Sequence, residues 1–168
     1  MKVMLIVAVT VDGKIAKSKN HFPDWTGTAD KKLFVSVTKK AGVIIMGSTT
    51  YDVIDKVLPD RKNIVLTRNK NRVSSDENLV FTDEKPDILI QQLESEGYKE
   101  VVIIGGSEIN TLFADGNLLD EIIVTYTPHV FGKGLSIFSK ALDLKLSLKK
   151  VSPIGDDGIL ARYRVLKN

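Results

Sequence analysis

The sequence predicts an α/β fold: a mainly parallel twisted sheet with helices on both faces and an antiparallel C-terminal edge. Three observations support it. Short runs rich in Val and Ile recur along the first two-thirds of the 168 residues, helical patterns separate these runs, and period-two alternation dominates the last third. Because no linker or composition break divides the chain, residues 1–168 are expected to form a single domain.

Four apolar runs are predicted to be buried strands because charged residues or glycines bound them. They are VMLIVAV (3–9), GVIIM (42–46), NIVLT (63–67) and EVVIIGG (100–106). Helices are predicted between and after them, at KKLFVSVTKK (31–40), STTYDVI (48–54), PDILIQQLESEG (86–97) and SEINTLFADG (107–116). The third helix has a proline at its start and a glycine at its end, which favour initiation and termination.

The last third of the chain predicts antiparallel strands. Its alternating segments are DEIIVTYTPHVF (120–131), KLSLKKVSP (145–153) and GILARYRVLKN (158–168). The last two are expected to form a hairpin across residues 154–158. The apolar segment VFGKGLSIF (130–138) near these strands is typical of a subunit contact, so a homodimer through the C-terminal strands is a possible assembly.

Composition excludes several classes of function. Cysteine is absent and only His21 and His129 could supply imidazole, so no metal site is expected. The absence of cysteine fits a reducing compartment, and a cytoplasmic location is expected. The N-terminal apolar run of about nine residues is shorter than the roughly 18 that a membrane span needs, so no membrane association is expected.

The charge balance does not favour nucleic acid as a partner. The formal charge is +3, from 24 basic and 21 acidic residues, and the basic residues are dispersed along the chain. Anionic small molecules remain possible ligands.

Glycine and hydroxyl residues follow two of the predicted strands. Gly105 and Gly106 precede a helix whose first N–H groups, at Ser107, Glu108 and Ile109, would face an anion. Gly47, with the hydroxyls of Ser48, Thr49 and Thr50, repeats this arrangement at a second helix start. Two helix N-termini that face one crevice would suit the binding of a pyrophosphate. A double glycine after a strand is more often only a tight turn, and the chain has no G-x-G-x-x-G or Walker A pattern.

The stretch DWTGTADKKLF places Asp30 in the first turn of the first predicted helix. Thr28 is expected to be the N-cap of that helix, and a carboxylate two residues later is favoured by the helix dipole alone. From this segment alone, stabilisation of the helix end is the simpler role for Asp30, and a role in binding remains open.

Five motifs together closely resemble dihydrofolate reductase, in order and nearly in spacing, from Met1 to about Phe138. They are W-x4-D, MGSTTYDVI, LPDRKNIVLTR, VVIIGGSEI and DEIIVTYTP. The match is nearest to the bacterial form with DGKIA in the first loop and VFGKG near the end. The resemblance implies a dihydrofolate-reductase-like fold that reduces 7,8-dihydrofolate to tetrahydrofolate with NADPH, as part of one-carbon metabolism.

The resemblance also assigns roles to residues. Asp30 matches the carboxylate that holds the pterin and promotes protonation of its N5, Trp25 matches the tryptophan that contacts substrate and cofactor through a water, and Thr125 matches the threonine linked to the carboxylate. Arg61 matches the arginine that clamps the α-carboxylate of the folate glutamate, a role that suits a planar bidentate fork. The remaining implied substrate contacts are Phe34, Ala8 and Ile104.

The implied cofactor contacts surround the glycine turns. A cis peptide is expected between the paired glycines. The residues are Ala8, Ile15, Gly47, Ser48, Thr49, Thr50, Thr67, Arg68, Gly105, Gly106, Ser107, Glu108 and Ile109.

Three positions depart from the family pattern. Ser48 stands where the family usually has an arginine for the 2′-phosphate, which weakens the preference for NADPH over NADH unless Arg68 or Lys70 substitutes. Lys31 replaces an apolar pocket residue, and the loop 17–24 differs from the commonest active-site loop.

Two alternatives remain. TVDGKIA and LLDEIIVTYTPHVFGKG also resemble the reductase domain of riboflavin biosynthesis, which reduces a phosphoribosylamino-pyrimidine with NADPH, although its T-x-x-x-D-x-P-x-L segment is absent here. LPDRKNIVLTR and the step from Trp25 to Asp30 favour the folate enzyme. A non-catalytic nucleotide-binding paralogue is the other alternative, favoured by Ser48 and Lys31 and opposed by the retention of Trp25, Asp30, Arg61 and Thr125.

Overall fold

The computed structural model describes residues 1–167. Its helices are α1 (Thr28–Ala41), α2 (Ser48–Ile54), α3 (Pro86–Ser95) and α4 (Ser107–Asp115). Its strands are β1 (Lys2–Val9), β2 (Lys14–Ala16), β3 (Val43–Gly47), β4 (Lys62–Leu66), β5 (Leu79–Thr82), β6 (Glu100–Ile103), β7 (Glu121–Tyr126), β8 (Leu135–Ser136), β9 (Lys145–Ile154) and β10 (Gly158–Leu166).

Eight strands form one sheet in the order β5-β4-β3-β6-β1-β7-β10-β9. The six from β5 to β7 run parallel, β10 runs antiparallel to β7, and β9 forms the outer edge. Strands β2 and β8 form a separate pair. The predicted fold class, with its antiparallel C-terminal edge, is confirmed.

Helices cover both faces of the sheet. On the first face, Val3 and Leu5 of β1 pack with Leu89 and Leu93 of α3 and with Phe113 of α4. On the second face, the cluster that contains Met4, Ile6 and Ile44 packs against α1 and α2. Alternate residues of β1 therefore belong to opposite cores, as the two-residue period of a strand requires.

The elements differ from the sequence prediction in several places. Strand β5 was not predicted, because LVFT is only four residues long and its pairing with β4 is a tertiary contact. The short pair β2 and β8 was also missed. The expected strand 100–106 ends at Ile103, and the expected strand 120–131 ends at Tyr126.

The start of α1 corrects one expectation. Thr28 is the first helical residue and Gly27 is the N-cap, with φ 84° and no side-chain capping hydrogen bond. Glycine adopts this left-handed φ without the steric cost that a threonine would pay, so the predicted Thr28 cap was wrong. Asp30 remains in the first turn of the helix.

A buried carboxylate joins the C-terminal strands on the second face. Glu121 of β7 is 2% exposed and pairs with Lys2 at 2.7 Å, Lys149 at 3.2 Å and Arg162 at 3.3 Å. Burial alone would raise the pKa of Glu121, but hydrogen bonds from Lys2 and Lys149 outweigh it and lower the pKa below its ordinary value of 4.5. Every helix in the described part of the chain is too short or too polar to span a bilayer.

Candidate active site

Most of the predicted site residues lie at the carboxyl edge of the parallel strands, whereas Arg61 directly precedes β4 at the amino edge. Three backbone hydrogen bonds join neighbouring segments at the carboxyl edge: Gly47 N–H to the Gly105 carbonyl at 2.9 Å, Ile104 N–H to the Ile45 carbonyl at 2.9 Å, and Thr127 N–H to the Val9 carbonyl at 2.8 Å. The loops that follow β1, β3, β6 and β7 are therefore held side by side. Open sheets of this kind bind ligands at this edge.

Helix α1 presents Asp30 at that same edge. The helix ends at Gly42, whose carbonyl accepts a hydrogen bond from Lys62 N–H at the amino end of β4, so α1 runs opposite to the strands and begins at their carboxyl ends. Asp30 and Phe34 are both half-buried. Phe34 packs against the core of the second face, which Ile123 of β7 also joins.

Arg61 is buried without a carboxylate partner. It is 4% exposed, its Nε donates to the Pro59 carbonyl at 2.8 Å, and its Nη1 donates to the hydroxyl of Thr38 on α1. The neighbouring carboxylate, Asp60, pairs with Lys39 at 2.5 Å. Burial lowers the pKa of Arg61, and the charge of Asp60 opposes this only in part. Arg61 is thus a desolvated cation whose direct hydrogen bonds go to neutral groups.

Thr125 lies on β7 directly beside Ala8 of β1. Ile123, two residues earlier on β7, belongs to the core beneath α1, so Thr125 shares the face of the sheet on which α1 packs. Its Oγ1 is buried and has no hydrogen-bond partner in residues 1–167, and the link from Thr125 to Asp30 implied by the resemblance is therefore absent. Buried polar atoms are normally paired, so this hydroxyl points to a bound ligand or water.

Trp25, like Thr125, has a buried polar atom without a hydrogen-bond partner, and it lies in a cluster of aromatic rings. Its Nε1 is buried and has no hydrogen-bond partner in the described residues. The ring centroid of Trp25 lies 4.9 Å from Phe131 and 5.8 Å from His129, both edge-on, and 6.5 Å from His21, which stacks parallel to it. We call His21, Trp25, His129 and Phe131 the aromatic cluster.

A single carboxylate joins the loops on which the aromatic cluster depends. Asp12, in the loop after β1, accepts hydrogen bonds from the Thr10 hydroxyl at 2.6 Å, Phe131 N–H at 3.1 Å and Gly132 N–H at 2.8 Å. The hydrogen bond from Thr10 and the two backbone bonds lower the pKa of Asp12. Asp12 therefore fixes the loop after β7, which carries Phe131 and His129 to Trp25.

The two glycine turns lie against each other. A Cβ built on Gly47 would fall 2.9 Å from Cγ1 of Ile109, and one on Gly106 would fall 3.4 Å from Oγ1 of Thr50. Gly47 is thus required by the close approach of α4. The peptide between Gly105 and Gly106 is cis, as the resemblance implies. Gly106 is the N-cap of α4 and makes no side-chain capping bond.

The other predicted cofactor contacts lie around this groove. Ser48 is the first residue of α2, Thr49 is exposed, and Thr67 follows β4, where its N–H donates to the Thr82 carbonyl at 2.8 Å. Ile15 packs against the core of the first face. The Ser107 hydroxyl donates to the Ser136 carbonyl at 2.6 Å, and Glu108 is exposed.

The basic residues after β4 differ in their partners. Lys70 pairs with Asp83 at 2.5 Å, and Arg72 forms a two-bond pair with Asp52 at 2.7 Å. Arg68 is exposed, and no ion pair within residues 1–167 includes it. Of the two candidate substitutes for the missing arginine at position 48, Arg68 is therefore the one with its charge available.

Sequence reasoning missed several neighbours of the site. His21, His129 and Phe131 were not expected around Trp25, and Asp12 was not singled out. The turn of the β9–β10 hairpin also reaches α1, because a Cβ built on Gly155 would lie 3.4 Å from Cβ of Ala29. The aromatic residues in two separate loops were the one available signal, and their meeting depends on the tertiary fold.

Comparison with known proteins identifies relatives of this chain. Residues 2–146 match the family model for dihydrofolate reductase. The dihydrofolate reductase of Buchnera aphidicola subsp. Baizongia pistaciae is 37% identical over 121 residues, which cover 71% of this chain and 68% of that protein. The uncharacterized protein YwjB of Bacillus subtilis is 29% identical over 164 residues, 92% of each chain.

Solved structures share the fold. A protein of Shewanella sp. PV-4, assigned provisionally to riboflavin biosynthesis, has a TM-score of 0.85 and 24% identity, with 99% of each chain covered. At this level of identity the likeness supports the fold, and the substrate has to be argued from the site.

Proposed function

The chain belongs to the dihydrofolate reductase family, and we propose that it reduces 7,8-dihydrofolate to tetrahydrofolate with NADPH as the hydride donor. Its fold is the dihydrofolate-reductase-like α/β fold, and the family membership supports an oxidoreductase. The substrate and the cofactor are the proposed part.

The observation that supports dihydrofolate as the substrate is the spacing of three residues on α1. Asp30, Phe34 and Thr38 follow each other at four-residue steps. Residues at this spacing share one face of a helix, and eight residues span about 12 Å along its axis. At one end is a carboxylate, in the middle an aromatic ring, and at the other end the hydroxyl that holds the buried Arg61. A ligand that contacts all three is elongated, with a hydrogen-bond-donating head, a flat middle and an anionic tail.

Dihydrofolate has these three parts. Its pterin 2-amino group and N3 would donate to Asp30, its aminobenzoyl ring would pack on Phe34, and its glutamate α-carboxylate would pair with Arg61. A guanidinium matches a carboxylate through two parallel hydrogen bonds. Placing an anion there would also offset the cost of burying Arg61 without a charged partner.

The residues of the groove fit a dinucleotide. The close contacts at Gly47 and Gly106 bring the two turns together, and the first N–H groups of the nine-residue α4 have no acceptors within the helix. Ser107 to Ile109 would hold the pyrophosphate, and Arg68 would hold the 2′-phosphate. NADPH, when bound there, supplies the hydride.

The remaining roles belong to side chains of this chain. Asp30 holds the pterin and assists protonation at N5, and the unpartnered Trp25 N–H and Thr125 hydroxyl would bond a water or the ligand beside it. Ala8, Ile15 and Ile104 would line the ring pocket and exclude water.

A second candidate is the reductase of riboflavin biosynthesis, whose substrate is a phosphoribosylamino-pyrimidine. Lys31 supports it, because this exposed ammonium follows Asp30 at a position where the folate enzymes have an apolar residue, and an ammonium can bind a phosphate. The aromatic Phe34 between Asp30 and Arg61 argues against it, since this substrate has a polar ribose in its middle.

Calorimetric titration distinguishes the two. Dihydrofolate should bind at least about ten-fold more tightly than dihydropteroate, which lacks only the glutamate, because the Arg61 pair is worth roughly 1.4 kcal/mol or more. Equal affinities would show that Arg61 does not bind the glutamate. Binding of the pyrimidine nucleotide alone would favour the second candidate, the reductase of riboflavin biosynthesis.

A further inference from the structure

The loop between β4 and β5 touches the rest of the protein through few side chains. Ten of its eleven residues, 68–78, are exposed, and Arg72 is the exception, with its side chain 27% exposed. Local hydrogen bonds turn the backbone at the start of the loop. Asn71 N–H donates to the side-chain oxygen of Asn69 at 3.0 Å, and Arg72 N–H donates to the Asn69 carbonyl at 3.3 Å. These bonds shape the turn without attaching it to another element, so its placement depends on side-chain contacts.

Arg72 provides such a contact by joining the loop to α2 and β5. Its Nη1 donates to Oδ1 of Asp52 and its Nη2 to Oδ2, both at 2.7 Å. The centre of the same guanidinium lies 5.7 Å from the ring centroid of Phe81 on β5. The Phe81 ring in turn packs edge-on against Tyr51, with 5.4 Å between the centroids. Because Tyr51 directly precedes Asp52 on α2, these four side chains form a closed set of contacts.

The Asp52–Arg72 pair is more specific than an ordinary surface ion pair. Two parallel hydrogen bonds fix the orientation of the guanidinium, and the aromatic ring supports its face. The hydrogen bond from Arg72 lowers the pKa of Asp52, and the same bond raises the pKa of Arg72. The neighbouring pair differs, because the Lys70 side chain is 77% exposed and its partner Asp83 follows β5 directly. Lys70 therefore ties the loop only to its own return strand, and Arg72 is the residue that ties it to α2.

The pair meets α2 on the face that is proposed to contact the cofactor. Ser48 and Asp52 stand four residues apart on α2 and so share one face of that helix. Arg68, proposed above to hold the 2′-phosphate, directly precedes the turn that Arg72 closes. Arg68 is exposed, and its side chain makes no ion pair within the described part of the chain. Its position is therefore set by the backbone of the loop, which Arg72 holds.

We propose that Arg72 is a positioning residue for cofactor selectivity: its pair with Asp52 holds the loop 68–78 against α2 so that Arg68 faces the 2′-phosphate of NADPH. The inference rests on the proposed use of NADPH and does not depend on the choice between the two substrates. A cation that is held in place before the ligand arrives reduces the ordering cost of binding. An exposed ion pair contributes little to overall stability, so the effect of the pair is expected in binding.

Calorimetric titration with NADPH and with NADH, each without a second substrate, tests the proposal. Asp52→Asn keeps the shape of the side chain but removes the charge and one of the two acceptors. The affinity for NADPH should fall about ten-fold, while the affinity for NADH should stay within about two-fold of the parent. Asp115→Asn, which breaks the exposed pair with Lys140, is the matched control and should change neither affinity.

The sign of the change separates positioning from simple charge. Asp52→Asn removes a negative charge near the proposed phosphate site, so an effect of charge alone would raise the affinity for NADPH, and a rise would overturn the proposal. Arg72→Lys keeps the charge but cannot form two parallel hydrogen bonds, and it should lose about as much selectivity as Asp52→Asn. Arg68→Gln combined with Asp52→Asn should lose no more selectivity than Arg68→Gln alone, because the pair acts through Arg68.

The single variants also separate this inference from the proposed function. If Arg68→Gln lowers the preference for NADPH and Asp52→Asn does not, the positioning role is overturned and the assignment of Arg68 stands. If neither variant changes the preference, the assignment of the 2′-phosphate to Arg68 fails together with the inference.

Limited digestion with trypsin measures the hold on the loop without any nucleotide. The loop contains three sites for trypsin, at Arg68, Lys70 and Arg72, and Asp52→Asn leaves all of them in place. Cleavage in the loop, followed by the masses of the fragments, should be several-fold faster in Asp52→Asn than in the parent or in Asp115→Asn, because a loop released from α2 opens more often. Equal rates in the three proteins would show that the Asp52–Arg72 pair does not hold the loop, and would overturn the proposal.

Discussion

The ring of Phe131 packs edge-on against Trp25, with 4.9 Å between their centroids, although 105 residues separate them in the sequence. Asp12 makes this contact possible by accepting the N–H groups of Phe131 and Gly132. Three loops thus converge on a tryptophan whose own N–H is buried and has no partner in residues 1–167.

Asp12→Asn is expected to disturb Trp25 without unfolding the protein. Asparagine replaces one acceptor oxygen by a donor, so it cannot accept all three of the hydrogen bonds that Asp12 accepts. Because Trp25 is the one tryptophan of the chain, its fluorescence reports the change directly. The emission maximum should shift and turnover should fall several-fold. Asp24→Asn, an exposed neighbour of Trp25, is the control, and equal spectra for the two variants would mean that Asp12 does not position the cluster.

Asp30→Asn should preserve the fold and cofactor binding and reduce turnover by about a hundred-fold or more, the usual contribution of a positioned acid or base. The loss should deepen as the pH rises, because solvent protons that could replace the assisted step become scarce. Rates measured from mildly acid to alkaline pH, with Asp24→Asn alongside, test this. A variant that turns over at the parental rate throughout would exclude the proposed role of Asp30.

Thr38→Val tests how Arg61 is held. Valine keeps the shape of threonine but removes the acceptor for Arg61 Nη1, and a buried donor left unpaired costs about 1–3 kcal/mol. The KM for dihydrofolate should rise roughly ten-fold while kcat stays within about two-fold of the parent. Thr28→Val, at an exposed position of the same helix, should change neither. A fall in kcat alone would show that Thr38 does not act through substrate binding.

Arg68→Gln should lower the preference for NADPH over NADH by roughly ten-fold or more, because a hydrogen bond to a charged group contributes about 1.5–3 kcal/mol. The affinity for NADH should change little. Lys70→Gln is the matched control, since the Lys70 ammonium is already paired with Asp83. If Lys70→Gln alters the selectivity between NADPH and NADH more than Arg68→Gln does, Lys70 and not Arg68 binds the 2′-phosphate.

Glu121→Gln should destabilise the protein at neutral pH and have little effect in acid. The folded pKa of Glu121 lies below 4.5, so its ionised form contributes stability above that pH, and the contribution is lost as the pH falls through the folded pKa. We expect a loss of about 1–3 kcal/mol at neutral pH by urea unfolding, with convergence of variant and parent in acid. Glu77→Gln, exposed and distant, should be neutral. A constant difference at all pH values would mean that ionisation of Glu121 is not its cause.

Most of the parallel strands could be predicted from the sequence because they are buried on both faces. Such strands appear as continuous Val and Ile runs, which can be recognised without knowledge of their tertiary contacts. The same reasoning missed β5, whose four residues become a strand only beside β4. The cap of α1 was missed because capping preference favours threonine, whereas the chain enters this helix through a left-handed turn that favours Gly27.

The residues of the candidate site likewise divide into those that could be predicted from the sequence and those that could not. Asp30 and Phe34 were assigned from the resemblance and the glycine turns from their place after strands, whereas Thr38 was not expected at the site. The burial of Arg61 was not predicted, because an arginine in a turn such as LPDRKN is normally solvated and becomes desolvated here only through α1. The meeting of Trp25 with Phe131 likewise depends on loops that no local pattern relates.

The most direct test of the central claim is the initial rate of NADPH oxidation by the purified protein, with dihydrofolate and, in parallel, with the phosphoribosylamino-pyrimidine of riboflavin biosynthesis. We predict turnover with dihydrofolate alone. Turnover with the pyrimidine alone would contradict the interpretation of Asp30, Phe34 and Arg61 as a folate site. If neither substrate is turned over, a non-catalytic nucleotide-binding protein would be favoured.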